Sequence, residues 1–131
     1  MPWLLDTNAV IAVVNSPTGA VAKKLRRKKP ESVAIASVVL HELFYGAFKS
    51  ARIEANLAIV DALAFQVLPF DADDARAAGA IRAMLAKTGQ TIGAYDVSIA
   101  GQALNRNYTL VTHNLREFSR IEGLALEDWE A

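Results

Sequence analysis

The sequence predicts an α/β fold, a three-layer α/β/α sandwich with a mostly parallel central sheet. Three observations carry that expectation. Short strand-like runs alternate with helical patterns over the whole chain, the order that builds a parallel sheet flanked by helices. The runs are too short to show a two-faced alternation of apolar and polar residues. Hydrophobic residues make up 53% of the 131 and charged residues 21%, so enough apolar surface exists to offset the entropy of ordering. Length and composition together point to one domain, residues 1–131.

The elements follow in order. Trp3-Leu4-Leu5 reads as the first strand. Asn8 to Val14 is a short helix, and Pro17 opens a second that ends in a basic run. Pro30 precedes the β-branched run Ser32 to Ala36, the second strand. Ser37 is placed to cap a helix reaching about Lys49. Ala51 to Ala64 repeats Ile53, Leu57, Val60 and Ala64 on one face, as a helix does. Phe65 to Leu68, bounded by Pro69, is a third strand. Asp71 caps a helix from Ala72 to Lys87, and Gly89 stops it. Residues 94–106 form the last long helix. Tyr108 to Thr112 is the clearest strand, and Gly123 to Leu126 a short fifth. No linker, repeat or low-complexity tract interrupts the series.

Composition excludes several kinds of chemistry. Cysteine is absent, which removes disulfides, thiolate metal sites and cysteine nucleophiles. The longest apolar run is Ala9 to Val14, far below the roughly 20 residues that span a bilayer. The first residues lack the basic region of a signal peptide, so a cytoplasmic protein is expected. Lys plus Arg and Asp plus Glu are 14 each, so no global field draws the chain to nucleic acid. The charge is nevertheless uneven. Residues 23–29 read KKLRRKK, and the last ten residues carry Glu122, Glu127, Asp128 and Glu130 without a base.

Ligands of such sheets sit beyond the carboxyl ends of the strands, and three acids fall where carboxylates are costly. Asp6 directly follows the first strand, where it could also cap the next helix. Glu42 shares the i, i+3, i+4, i+7 face of Val39, Leu43 and Gly46. Asp96 shares a face with Ile99, Ala100 and Ala103. Burying an unpaired carboxylate costs several kcal/mol, and three close together add repulsion. No strong base neighbours any of them in sequence. The economical partner is a hard divalent cation with oxygen ligands, magnesium with manganese as a substitute, rather than zinc. Carboxylate-held metals activate water for displacement at phosphorus. The alternative nuclease chemistry needs two histidines. Only His41 and His113 are present, and His41 points about 100° around its helix from Glu42.

Four motifs occur in order: Leu4-Leu5-Asp6-Thr7-Asn8; Ser37-x-x-x-x-Glu42-Leu43-x-x-Gly46; Ile92-Gly93-x-x-Asp96-x-x-Ile99-Ala100; and Leu110-Val111-Thr112-x-Asn114 with Phe118. Over the whole chain this resembles the PIN-domain ribonucleases, and within them the VapC toxins of bacterial type II toxin–antitoxin pairs. The stretch Thr112 to Arg120, with Gly123-Leu124 and Glu127-Asp128-Trp129, is similar to the subgroup that cuts initiator tRNA in its anticodon loop. The resemblance implies a magnesium-dependent endoribonuclease with Asp6, Glu42 and Asp96 as metal ligands. It implies polar or phosphate-contacting roles for Asn8 and Thr112, and a place for Asn114 in the catalytic set. Many members carry a fourth acid where this chain has Asn114, with Glu117 the candidate substitute. It further implies a VapB-like antitoxin partner, a homodimer and a toxin–antitoxin hetero-oligomer.

The basic run is read as a phosphate-binding strip, with Lys23, Lys24, Arg26 and Arg27 as its contacts; bases completing a helix end are the alternative. Trp3 and Trp129 read as packing residues. A different function of the same fold is a catalytically inactive module that binds RNA or protein. A phosphoacceptor domain would need a Lys after a late strand, and residues 107–115 contain none.

Overall fold

The computed structural model describes residues 2–131. Its strands are β1 (Trp3–Leu5), β2 (Val33–Ala36), β3 (Gln66–Leu68), β4 (Thr109–Val111) and β5 (Leu126–Glu127). The helices are α1 (Thr7–Asn15), α2 (Ala20–Arg26), α3 (Ser37–Phe48), α4 (Ile53–Asp61), α5 (Ala72–Lys87), α6 (Ala94–Arg106) and the short α7 (Leu115–Phe118). All strand pairs are parallel and the order is β3-β2-β1-β4-β5. The expected sandwich with its mostly parallel sheet is therefore present, and the sheet is wholly parallel.

Parallel strands need crossovers, and these are right-handed. Steps from β1 to β2 to β3 run one way across the sheet, so α1–α4 cover one face. The return from β3 to β4 and the step to β5 run the other way, so α5–α7 cover the second. Both faces of the three central strands β2, β1 and β4 are then shielded. Leu4, Leu5, Val33, Ile35, Leu110 and Val111 are each at most 2% exposed.

Local chemistry moves several boundaries. Ser37 does not cap: the cap position is Ala36, without a side-chain bond, and Ser37 is already helical. Pro17 lies in a turn, and the following helix begins after Gly19 at Ala20. The helix expected over Ala51 to Ala64 spans Ile53–Asp61. Its apolar face is only partly covered, with Val60 buried but Ile53 42% exposed. The fifth strand is Leu126–Glu127, later than Gly123 to Leu126, because Gly123 has φ +84° and turns the chain. Asp71 caps α5 as expected, in a capping box with Asp74.

The α5–α6 contact fixes the position of α6. Gly101 lies so close to α5 that a Cβ there would fall 2.6–2.7 Å from the backbone N, Cα and Cβ of Ala78. Backbone cannot swing aside, so the helices must separate to admit a methyl group. Gly101→Ala is expected to destabilise the protein by about 1–3 kcal/mol. A chemical-denaturation midpoint equal to wild type would refute this close approach.

The carboxyl-terminal segment is held against the sheet. Trp129 is 1% exposed, and its ring centroid is 6.3 Å from that of Trp3. Both indole N–H groups donate to Glu127, Trp129 at 2.9 Å and Trp3 at 3.1 Å. Lys28 Nζ sits 4.2 Å above the Trp3 ring, a cation–π contact. The tryptophans thus pack, as their sequence context suggested.

Candidate functional site

Strands β1, β2 and β3 progress one way and β4 and β5 the other, so the strand order reverses beside β1. Such a switch point opens a crevice at the carboxyl ends. Asp6 stands there: it follows β1, and its N–H donates to Val111 O at the end of β4, 3.1 Å away. Its Oδ1 accepts from Ala9 N at 2.8 Å, capping α1. The cap reading therefore holds, and it uses one carboxylate oxygen of Asp6. Asp6 is buried. Burial raises its pKa first; the Thr112 hydroxyl and the Ala9 N–H pull it back, and Glu130 and Glu42 push it up again.

Glu42 reaches the same crevice from α3. Its Oε1 accepts a hydrogen bond from the Thr7 hydroxyl at 2.9 Å, so the first turn of α1 orients it. Asp96 comes from the first turn of α6. Its pKa is pushed up to about 6, first by burial and then by Glu42, Asp6 and Glu117. Asp96 thus feels both of the other acids and Asp6 feels Glu42, and among the described residues no Lys or Arg forms a salt bridge with any of the three. Three carboxylates that repel one another without a cation suit a hard divalent ion.

The raised pKa of Asp96 has a sign that can be measured. Its folded value lies above its unfolded value of 3.8, so the folded state holds the proton more tightly. The stability from that proton is full below pH 4 and is lost as pH rises through 6. Asp96 is only partly buried, so the loss is discounted to about 1–2 kcal/mol. Asp96→Asn should therefore raise the metal-free melting temperature at pH 7.5 and leave it unchanged at pH 4. Equal melting temperatures at both pH values would contradict the placement of Asp96 among acids.

The remaining sequence-selected residues fall around this centre. Thr112 is 1% exposed, and its Oγ1 accepts from Asn114 N at 3.0 Å. Asn114 is exposed and caps α7. Its Nδ2 donates to Glu117 Oε2 at 3.0 Å, and Glu117 is the acid of this segment that Asp96 feels. Asn8 is exposed on α1. In the basic run, Lys23 and Arg27 are exposed, while Arg26 donates to Pro17 O at 2.7 Å. Lys24 and Lys28 help to hold Glu127 in its charged form, after the two indole bonds.

One group lay outside the sequence reading. His113 Nδ1 is 3.0 Å from Asp128 Oδ2 and 3.6 Å from Glu130 Oε2. The pKa of His113 is raised, chiefly by Asp128. Among the described residues this is the one trio of potential ligand atoms within 4.8 Å of one another, so Asp6, Glu42 and Asp96 are spaced more widely. The acidic tail was visible in the sequence; its return to the crevice depends on β5 and Trp129. No helix among the described residues is long and apolar enough to cross a membrane.

The PIN-domain family model matches residues 3–124. The chain is 40% identical to the tRNA(fMet)-specific endonuclease VapC of Shigella flexneri over 98% of both chains. It is 36% identical to Ribonuclease VapC2 of Rickettsia felis over 99% of both. Among solved structures, it is similar to a chain of the DNA-bound VapBC complex of Salmonella typhimurium, with a TM-score of 0.93, 40% identity and 98% coverage of each chain.

Proposed function

Because the chain belongs to the PIN-domain family, we propose that it is a metal-dependent endoribonuclease and the toxin of a toxin–antitoxin pair. Its substrate is RNA, with tRNA favoured and the anticodon loop of initiator tRNA the first target to test. The observation that carries this reading is the meeting of Asp6, Glu42 and Asp96 at the sheet's switch point without a paired Lys or Arg. A module that only binds has no use for three acids that repel one another. The relatives named for endonuclease and ribonuclease activity, at 36–40% identity over nearly the whole chain, support the same reading.

Asp6, Glu42 and Asp96 would hold magnesium, with manganese as a substitute. Once bound, the ion supplies Lewis acidity for attack of water on a phosphodiester. The chain's own contribution is positioning. The Thr112 hydroxyl and Ala9 N–H hold Asp6, and Thr7 holds Glu42. Asn114 holds Glu117, which we assign as the fourth carboxylate in place of an acid at 114. Asn8, Lys23, Lys24, Arg26 and Arg27 supply phosphate contacts, all of them exposed except the partly buried Lys24. The partner is a VapB-like antitoxin, joined to a homodimer of this chain in a hetero-oligomer.

Incubation of the purified protein with initiator tRNA tests the proposal. Cleavage is expected with magnesium or manganese and not in excess EDTA. The products should carry 5′-phosphate and 3′-hydroxyl ends, since an activated water makes the ribose 2′-hydroxyl unnecessary as nucleophile. Undiminished cutting in EDTA, or 2′,3′-cyclic phosphate ends, would overturn it.

A further inference from the structure

Two exposed rings flank the acids without being used by them. His41 precedes Glu42 on α3, and Tyr95 precedes Asp96 on α6. Their ring centroids are 5.3 Å apart, with an interplanar angle of 67°. Tyr95 remains 51% exposed, and His41 is exposed as well. An edge-to-face pair fixes both rings yet leaves the faces of the edge-on ring open.

We propose that the His41–Tyr95 pair is a base-stacking platform that positions an unstacked nucleotide next to the cleavage site. This rests on the ribonuclease reading above. Bases splayed from RNA loops are gripped by stacking on aromatic rings, and the pair is an exposed ring surface that joins the two helices bearing Glu42 and Asp96. A protein partner is the less fitting occupant. Aliphatic side chains suited to one line a neighbouring groove of about 400 Å³, bordered by Ile11, Val14, Glu42, Leu43, Ile59 and Leu63, and neither His41 nor Tyr95 lines it. The platform rings carry polar edges, and the acids beside them would oppose an acidic surface but accept a metal-screened phosphate. Tyr95 and His41 are thus positioning residues; neither is assigned proton transfer.

The test uses the full chain and the anticodon stem–loop of initiator tRNA. Steady-state cleavage in magnesium gives kcat and KM, and fluorescence anisotropy in calcium gives Kd. Tyr95→Leu and His41→Leu should each raise Kd and KM by about 5- to 160-fold, the range for losing one stacked base. The value of kcat should change by less than about threefold. The dependence of Kd on salt should keep its slope, because no phosphate contact is removed. Tyr95→Trp should restore affinity, and Tyr95→Phe should match wild type, which a structural role for the hydroxyl would not allow. Melting temperatures show whether each variant is folded; if Tyr95→Leu is not, His41→Leu and the Phe and Trp variants decide. Unchanged Kd in the leucine variants overturns the platform. So does a Tyr95→Leu loss that tryptophan fails to rescue, or a change of oligomeric state at unchanged Kd, which would assign the rings to a protein interface. RNA that binds wild type without being cut overturns the nuclease reading while still testing the platform. Absence of any RNA binding overturns both.

Discussion

Neutralising any one of Asp6, Glu42 and Asp96 is expected to lower RNA cleavage by more than about 100-fold while leaving the protein folded. Loss of a group that merely supports a metal ligand costs 10–100-fold, and a ligand itself should cost more. Asn and Gln keep the shape of the acids they replace. In Asp6→Asn the amide oxygen can still accept from Ala9 N, so the α1 cap persists. In Glu42→Gln the same holds for the bond from Thr7. Stability should therefore not fall, and for Asp6 and Asp96 it should rise at neutral pH without metal. Each removes a charge that burial and neighbouring carboxylates disfavour. Lost cleavage with retained or raised melting temperature is the paired signature. A variant that loses activity only because it melts early would instead mark its residue as structural. Full activity in all three would remove the site from this crevice.

The second large effect concerns stability, through Asp74. This carboxylate is fully buried between α5 and α6. Its Oδ1 accepts from Asn105 at 2.9 Å and Arg106 Nε at 3.2 Å. Its Oδ2 accepts from Arg106 Nη2 at 2.9 Å, Asp71 N at 3.0 Å and Gln102 at 3.2 Å. Asp74→Ala removes every one of these acceptors at once, leaving Arg106 with only the longer pairing to Asp71 Oδ2 at 3.4 Å and the Pro69 carbonyl, beside the buried amide of Gln102. Breaking a fully buried pair costs about 3–5 kcal/mol, and because Arg106 is partly exposed and keeps Asp71 the loss here is expected at the lower end, about 3 kcal/mol. The pH dependence supplies a second readout. Hydrogen bonds from Arg106, Asp71 and Asn105 outweigh burial and lower the Asp74 pKa from 3.8 to about 2. A lowered folded value means that stability is fully present above pH 3.8 and is lost as pH falls through 2. That interval is worth about 2 kcal/mol. Wild type should lose this increment between pH 4 and pH 2, and Asp74→Ala should not. Denaturant titrations across that range decide it.

Asp74 and the crevice acids illustrate opposite outcomes for a carboxylate in a fold. Asp74 is surrounded by donors and stays charged, so it stabilises the α5–α6 pair. Asp6 and Asp96 are surrounded by other acids, so their charged forms cost stability. Charge type and burial alone do not separate them; the identity of the neighbours does.

Much of this was legible in the sequence because it depends on local periodicity. The strand-like runs, the Asp71 cap and the helical faces of Glu42 and Asp96 all repeat over a few residues. An acid on such a face signals that something must compensate it, whatever the fold. The motif order then narrowed the family, and the profile match over residues 3–124 agrees with it. By contrast, Asp74 looks like an ordinary first-turn acid beside Asp73. Only the packing of α5 against α6 brings it donors from 28 to 32 residues away. The end of α4 was overestimated because Ala64 extends the pattern without being buried by it.

The sequence by itself determined which side chains are chemically out of place: three acids on apolar faces, a basic run and an acidic tail. Only the tertiary structure decided what each of them meets. The strand order β3-β2-β1-β4-β5 carries Asp6 to a switch point. The close approach of Gly101 to Ala78 sets α6, and with it Asp96 and Tyr95. Burial of Trp129 brings Asp128 and Glu130 back to His113. The reason is physical. Local pattern fixes the direction of a side chain relative to its own helix or strand, whereas its partners are chosen by packing between elements far apart in the chain.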